Sequence, residues 1–404
     1  MSRVLVVGCG FPQLSLIRLA RRLGHHVVGA DLNPEALGVA DCHEFALAST
    51  NDVDALVAAA RAFRVEAVTT TGSEVSLKST ADVAARLGLP FHADPETVRR
   101  CQEKDLMRAS YEAAGVAVPA FAGCRTLDEA RAFVAAHGYP VVVKPARGWG
   151  QRGVSRVDSD EELPSAFAAA HEHSASAGLA VAVLEVFLEG GEYSVNGWIE
   201  DGELVAYAVT ERLTVPGKKP LGVMIAEVVP CGLSAADEAR VVAEARRGAA
   251  ALGLRRGPCY SQVVLGPRGC FLFETAARMG GGFDADVTRL VSGVDLYARI
   301  LGLALGDAAL ERQGPTSERS AAAVAKFLIG RPGRVRAVTG LEVARALPGV
   351  VEVGTFVPVG GVVQPLTDAA KRAGYVLAVG PDRATVLARA DAALAAVALE
   401  TESP

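Results

Sequence analysis

The chain has 404 residues, 50% of them hydrophobic, with 41 Lys and Arg against 46 Asp and Glu for a net charge of −5. That length supports two or three domains with packed cores, and the acidic balance excludes a global basic footprint for nucleic acid. No apolar run reaches membrane-spanning length, and Met1-Ser-Arg-Val passes straight into a strand, so neither a membrane partner nor a signal peptide is expected.

In chain order, residues 3–95 alternate strand and helix. Strands are expected at 4–7, 26–30 and 67–70, and helices at 13–23, 53–63 and 76–87. This βαβ grammar implies a small parallel sheet. Asp94-Pro95 breaks it, and a charged helix from 96 to about 115 follows. From 140 onward the pattern changes to hairpins. Asp201-Gly202 separates runs at 193–199 and 204–210, a strong two-residue turn signal. A long helix lies within 230–253, and a second hairpin spans 259–275. Residues 315–320 are polar and linker-like. The tail carries strands near 321–329, 350–358 and 375–379 and a final helix at 382–398.

Seven scattered cysteines (Cys9, Cys42, Cys101, Cys124, Cys231, Cys259, Cys270) form no CxxC and read as reduced thiols of a cytoplasmic protein. The histidines lack zinc-ligand spacing, and His171-x-His173 diverges on a helix. Gly8-Cys-Gly10-Phe-Pro-Gln13 follows the first strand, and Asp31 ends the second. That pattern fits a dinucleotide loop or a plain tight turn, because Gln13 replaces the third glycine.

Arginine is the default cation here, with only 7 lysines among the 41 basic residues. Lys144 nevertheless closes the apolar run Tyr139-Pro-Val-Val-Val-Lys144 and meets a loop containing Gly148, Gly150 and Gly153. An ammonium beside glycine-rich backbone suits phosphate, as a lid over a triphosphate. An ordinary hairpin with a solvated lysine fits the same residues. In Leu184-Glu185-Val-Phe-Leu188, a strand end offers Val186 C=O and Leu188 N–H to an adenine edge, and Glu192 could accept from ribose hydroxyls. Two surface glutamates around a turn are the plainer alternative.

A three-residue loop, Pro267-Arg-Gly269, would set Gly266 opposite Cys270 and Gln262 opposite Glu274. Those two oxygens could share a hard cation such as Mg²⁺, or simply hydrogen-bond. Arg278, before Gly280, Gly281 and Gly282, suits a developing phosphoryl or carboxyl charge, or pairs with Glu274. Lys218-Lys219 fit solvated loop charges and phosphate contacts equally. Glu74 and Glu227 are candidate bases, with surface or capping roles as the simpler reading.

The order of these motifs resembles the ATP-grasp superfamily: Lys104 in Gln102-Glu-Lys-Asp-Leu-Met107, Val143-Lys144-Pro with its glycine loop, Glu185 and Glu192, then Gln262, Glu274 and Arg278. The resemblance covers almost the whole chain. The tail, with Gly349-Val-Val-Glu352 and Gly374-Tyr-Val-Leu-Ala-Val-Gly380, looks like that of L-amino-acid ligases. The implied fold is α/β and α+β: a Rossmann-like pre-ATP-grasp domain at 1–95, an ATP-grasp domain at 96–314 with its lid at about 123–188, and an α+β subdomain at 315–404.

The resemblance further implies ATP as substrate and Mg²⁺ or Mn²⁺ as cofactor. Lys104, Lys144 and the loop glycines would hold phosphates. Glu185, Val186 and Leu188 would read adenine, and Glu192 would hold ribose. Glu274, with Gln262, would bind metal. Arg278 and Lys144 would be catalytic, with Arg278 and Gly280–Gly282 facing the substrate. Gln262 stands where the family usually has an acid, Ala276 where it has asparagine, and Gln151 where it often has serine. The expected activity is joining a small-molecule carboxylate, of an amino acid, to an amine; a homodimer is a family expectation. The rivals are an ATP-dependent carboxylase activating bicarbonate, a catalytically weak nucleotide-binding homologue, and an NAD-dependent dehydrogenase built on Gly8–Asp31.

Overall fold

The computed structural model describes residues 1–148, 150–217 and 220–402, so Trp149 and the Lys218-Lys219 pair lie outside the described residues. At the N-terminus four parallel strands lie in the order Glu44–Leu47, His26–Asp31, Arg3–Val7, Ala67–Thr69. Helices cover both faces, which is why Arg3–Val7 is almost continuously apolar. Leu16 and Ile17 of the helix Phe11–Arg22 pack on Val4 and Val6. Leu56 of Val53–Ala62 and Val83 of Glu74–Leu87 pack on Leu5 and Val7. The strand Glu44–Leu47 was not expected: it is a short edge strand with no fully buried residue.

Asp94 caps the helix Pro95–Gln102 by accepting from Glu96 and Thr97 N–H. The single helix expected from 96 to about 115 is broken at Glu103, whose ψ is 108°, and resumes as Lys104–Ala113. The Glu103 carboxylate pairs with Arg99 and Arg147. Lys104 N–H donates to Ala146 C=O at 2.9 Å. The break therefore places Lys104 at a helix start, against the glycine loop.

A second sheet is antiparallel, in the order Phe121–Cys124, Ala182–Val186, Val141–Pro145, Ser155–Val157. Phe133 of the helix Leu127–His137 and Phe167 of Leu163–Ser176 fill its core. The largest sheet has eight antiparallel strands: Gly269–Ala276, Gly257–Gly266, Gly191–Glu200, Glu203–Thr214, Met224–Val229, Ala322–Leu328, Gly374–Gly380 and Val350–Thr355. Asp201 and Gly202 have φ of 51° and 88°, the double left-handed turn that matches the twist of its strands.

The hairpin at 257–276 corrects one expectation. Its loop has two residues, not three, because Gly266 faces Gly269 and Leu265 faces Cys270. A bulge that leaves Phe273 unpaired then shifts the register, so Gln262 still faces Glu274. The tail's three expected strands join this same sheet. Beyond it, Val362–Val363, Gly333–Thr339 and Ala398–Glu402 form a small antiparallel sheet that the sequence reading missed. Val386, Ala390 and Ala393 of the helix Arg383–Ala396 pack on Val324 and Val376. No helix among the described residues is long and apolar enough to cross a membrane.

Candidate active site

A cavity of about 600 Å³ opens where these parts meet. Its roof comes from the four-stranded antiparallel sheet, its floor from the eight-stranded sheet, and its end walls from the first and last parts of the chain. Lys104, Lys144, Gly148, Gly150, Glu185, Val186, Leu188, Glu192, Gln262, Glu274, Arg278, Gly281 and Gly282 all line it. Gly153 and Gly280 do not. A Cβ at Gly153 would sit 3.0 Å from the Pro145 side chain, and one at Gly280 would sit 1.9 Å from Asp284 Oδ2. Both glycines are required for close packing beside the cavity rather than for contact within it.

Glu185 does something other than expected. Its Oε2 accepts from Lys144 Nζ at 2.6 Å and its Oε1 from Arg108 Nε at 2.7 Å. Burial opposes its charge, but Arg108 and Lys144 outweigh burial and hold the carboxyl at about 2. The carboxylate is thus fully engaged, one oxygen on Lys144 and the other on Arg108. Phe187 N–H is taken by Pro140 C=O at 3.1 Å, while Val142, Val154 and Val264 give apolar flanks. Lys104 Nζ donates to Gly148 C=O at 2.8 Å, which sets it against the glycine loop.

Burial pulls the Lys144 ammonium down to about 8, with Glu185 resisting and Arg108 assisting. An arriving phosphate favours the charged form. ATP binding near that pH is therefore expected to take up a proton, and the uptake should vanish about two pH units lower, where Lys144 is already charged. Calorimetry in buffers of different ionisation enthalpy measures it. Identical heats in all buffers near the Lys144 midpoint would rule the shift out.

On the floor, Gln262 Nε2 donates to Tyr260 Oη at 2.8 Å, and Gln262 pairs across the strands with Glu274. Arg278 Nη2 lies 2.6 Å from Glu74 Oε1 and 3.8 Å from Glu274 Oε1, and its Nη1 donates to Met279 C=O at 2.7 Å. Glu74 is buried at the start of its helix, where Ser73 is the cap. Glu227 is buried too, accepting from Phe283 N–H at 3.1 Å. Burial, then the neighbouring Asp284, pushes the Glu227 carboxyl well up. Neither glutamate has the surface role that seemed simpler from sequence. Glu192 lies 3.5 Å from Arg212 Nε, its carboxyl raised by burial and lowered in part by Arg212.

The first glycine cluster is a tight turn. Asp31 Oδ2 accepts from Cys9 N–H at 2.8 Å and Oδ1 from Asn33 N–H at 2.9 Å, so the carboxylate is committed to its own loop. Gln13 Nε2 reaches across to Thr71 C=O at 2.6 Å. Arg108, Arg212, Asp284 and Arg372 escaped sequence reading. Only Arg108 carried a signal, four residues after Lys104 and so on the same helix face.

Residues 137–286 match the ATP-grasp domain family, and residues 326–402 match L-amino acid ligase C-terminal domain 2. The chain carries an ATP-grasp domain and an L-amino acid ligase C-terminal domain. As an ATP-grasp ligase it is an enzyme that forms C–N bonds. This ATP-grasp chain is 29% identical over 388 residues to the uncharacterized protein y4rH of Sinorhizobium fredii, covering 93% of itself and 78% of that protein. It is 26% identical over 270 residues to alanine–anticapsin ligase of Bacillus subtilis, covering 62% of itself and 56% of that enzyme. Its fold matches an L-amino acid ligase from Bacillus licheniformis with a TM-score of 0.81 and 21% identity, over 100% and 99% of the two chains.

Proposed function

We propose that the chain activates the carboxylate of an amino acid as an acylphosphate and joins it to an amine, releasing ADP and phosphate. The observation that carries this reading is one cavity in which Lys104 and Lys144 face Arg278 and Glu274. The matched C-terminal domain and the likeness to alanine–anticapsin ligase support the amino acid.

A carboxylate resists attack by an amine, because it is negative and lacks a leaving group. Transfer of the γ-phosphoryl of ATP to its oxygen supplies one. Lys104 and Lys144 would hold the phosphates and Glu192 the ribose, with Val186 and Leu188 backbone at adenine. The amine then attacks the acyl carbon, and Arg278 would bind the oxyanion as phosphate departs.

Glu274 and the Gln262 amide oxygen are hard donors suited to Mg²⁺ or Mn²⁺, and two protein ligands fit an ion that keeps waters and phosphate oxygens. Among the described residues no cluster of three or more His, Cys, Asp or Glu side chains could hold a metal, so a dedicated cage is not part of the proposal. When bound, the ion would offset phosphate charge. Gln262→Glu is expected to tighten Mn²⁺ binding by about tenfold, through ligand charge. Titration of the protein with Mn²⁺ and ADP reads this, and an unchanged affinity would remove Gln262 from the ligand set.

A phosphate-release screen across amino acid pairs, with product masses, tests the function. ADP formed only with an amino acid and an amine present supports it, whereas ADP formed with bicarbonate alone would replace it with carboxylation.

A further inference from the structure

Three buried arginines reach the cavity, and two of them are ion-paired. Arg278 pairs with Glu74. Arg212 donates to Tyr260 Oη at 2.8 Å and faces Glu192. Arg372 forms no ion pair or hydrogen bond among the described residues, although only 8% of it is exposed and its Nε is fully buried. Its guanidinium stacks over Phe327, 3.8 Å from the ring centroid, which fixes its plane. Ala369 N–H donates to Gly150 C=O at 3.2 Å, tying the segment that carries Arg372 to the glycine loop.

A buried, oriented and unpaired guanidinium is an anion site waiting for its anion. Acidic groups lie nearby. Asp284 and Glu227 are buried against each other, with Asp284 Oδ1 and Glu227 Oε2 receiving no N–H or hydroxyl donor, and Asp284 acts electrostatically on Arg278, Arg212 and Arg372 alike. An α-ammonium at Asp284 with its reacting carboxylate toward Arg278 would leave Arg372 facing a different anion.

We propose that Arg372 is a specificity-determining residue that receives a substrate carboxylate other than the one being activated. This rests on the ligase reading. The carboxylate is either the acidic side chain of the activated amino acid or the α-carboxylate of the amine substrate. Burial and the adjacent Arg212 draw the guanidinium down to about 10, consistent with a charge that lacks its partner.

Kinetics of the wild type, Arg372→Gln and Arg372→Lys test this, with thermal melting to confirm folding. Arg372→Gln should raise KM for the carboxylate-bearing substrate about tenfold to hundredfold, with KM for ATP unchanged and partial recovery in Arg372→Lys. The source follows from neutral replacements. Glutamine for glutamate on the acid side, or an amino acid amide on the amine side, should erase the difference between variants on that side alone. Equal loss with every substrate, or a change confined to kcat, overturns the proposal. Should no pair release phosphate, the ligase reading fails separately. Calorimetric titration with L-glutamate, L-aspartate and L-alanine then decides: affinity lost in Arg372→Gln supports the site, and binding that is absent or equal overturns it.

Discussion

Replacing Arg278 by alanine is expected to lower kcat by about two to three decades, equivalent to roughly 3 kcal/mol of transition-state stabilisation, with KM for ATP unchanged. The guanidinium is fixed before substrate arrives, by Glu74 at 2.6 Å and by the Met279 carbonyl at 2.7 Å. A preorganised donor needs no rearrangement when negative charge develops, so its effect falls on the chemical step. Arg278→Lys should not restore turnover, because a point ammonium cannot keep both partners and still face the oxyanion. Steady-state kinetics beside thermal unfolding separates this from a folding defect, since the variant leaves Glu74 buried without its cation. Turnover near that of the wild type would discard the role.

Glu185→Gln is expected to cost about 3–5 kcal/mol of folding stability, the range for removing one member of a buried ion pair. Among the described residues Glu185 is the carboxylate that pairs with both Lys144 and Arg108, and Arg108 is 0% exposed. The variant would leave two buried cations facing each other. Lys144, already drawn to about 8, would fall further and weaken phosphate binding at neutral pH. The sign with acid follows from Glu185 itself. Its folded pKa, about 2, lies below its ordinary value of 4.5. The stabilisation it gives is therefore complete above about 4.5 and is lost as pH falls toward 2. Urea unfolding at neutral and acidic pH reads both effects. A carboxylate devoted to adenine would instead raise KM for ATP and leave stability untouched, and that pattern would refute the ion-pair account.

The alternating N-terminal part was legible because its helices and strands obey simple periods and both sheet faces are covered. The strand Glu44–Leu47 was not, since an edge strand of four residues carries too little pattern to register. Helix propensity runs unbroken through 96–115, yet Glu103 is buried between Arg99 and Arg147 with its ψ out of the helical range, and the Arg147 contact crosses sequence in a way that local signals do not contain. The Gln262–Glu274 pairing was foreseen through a three-residue loop. The chain reaches it through a shorter turn and a compensating bulge. Motif order pointed to residues that gather around one cavity, but Arg372 lies far along the chain from every motif, and its place depends on how the tail's strands join the large sheet.

The unpaired Phe273 has a mechanical consequence. Its carbonyl accepts from Arg108 Nη2 at 2.7 Å, while Arg108 Nε holds Glu185. One side chain thereby pins the roof to the floor at the end of the strand Ala182–Val186. The Gly150 tip is tied elsewhere, by Ala369 N–H to Gly150 C=O, so with the rivet whole that bond is the one that must break for the loop to lift on the side of the tail.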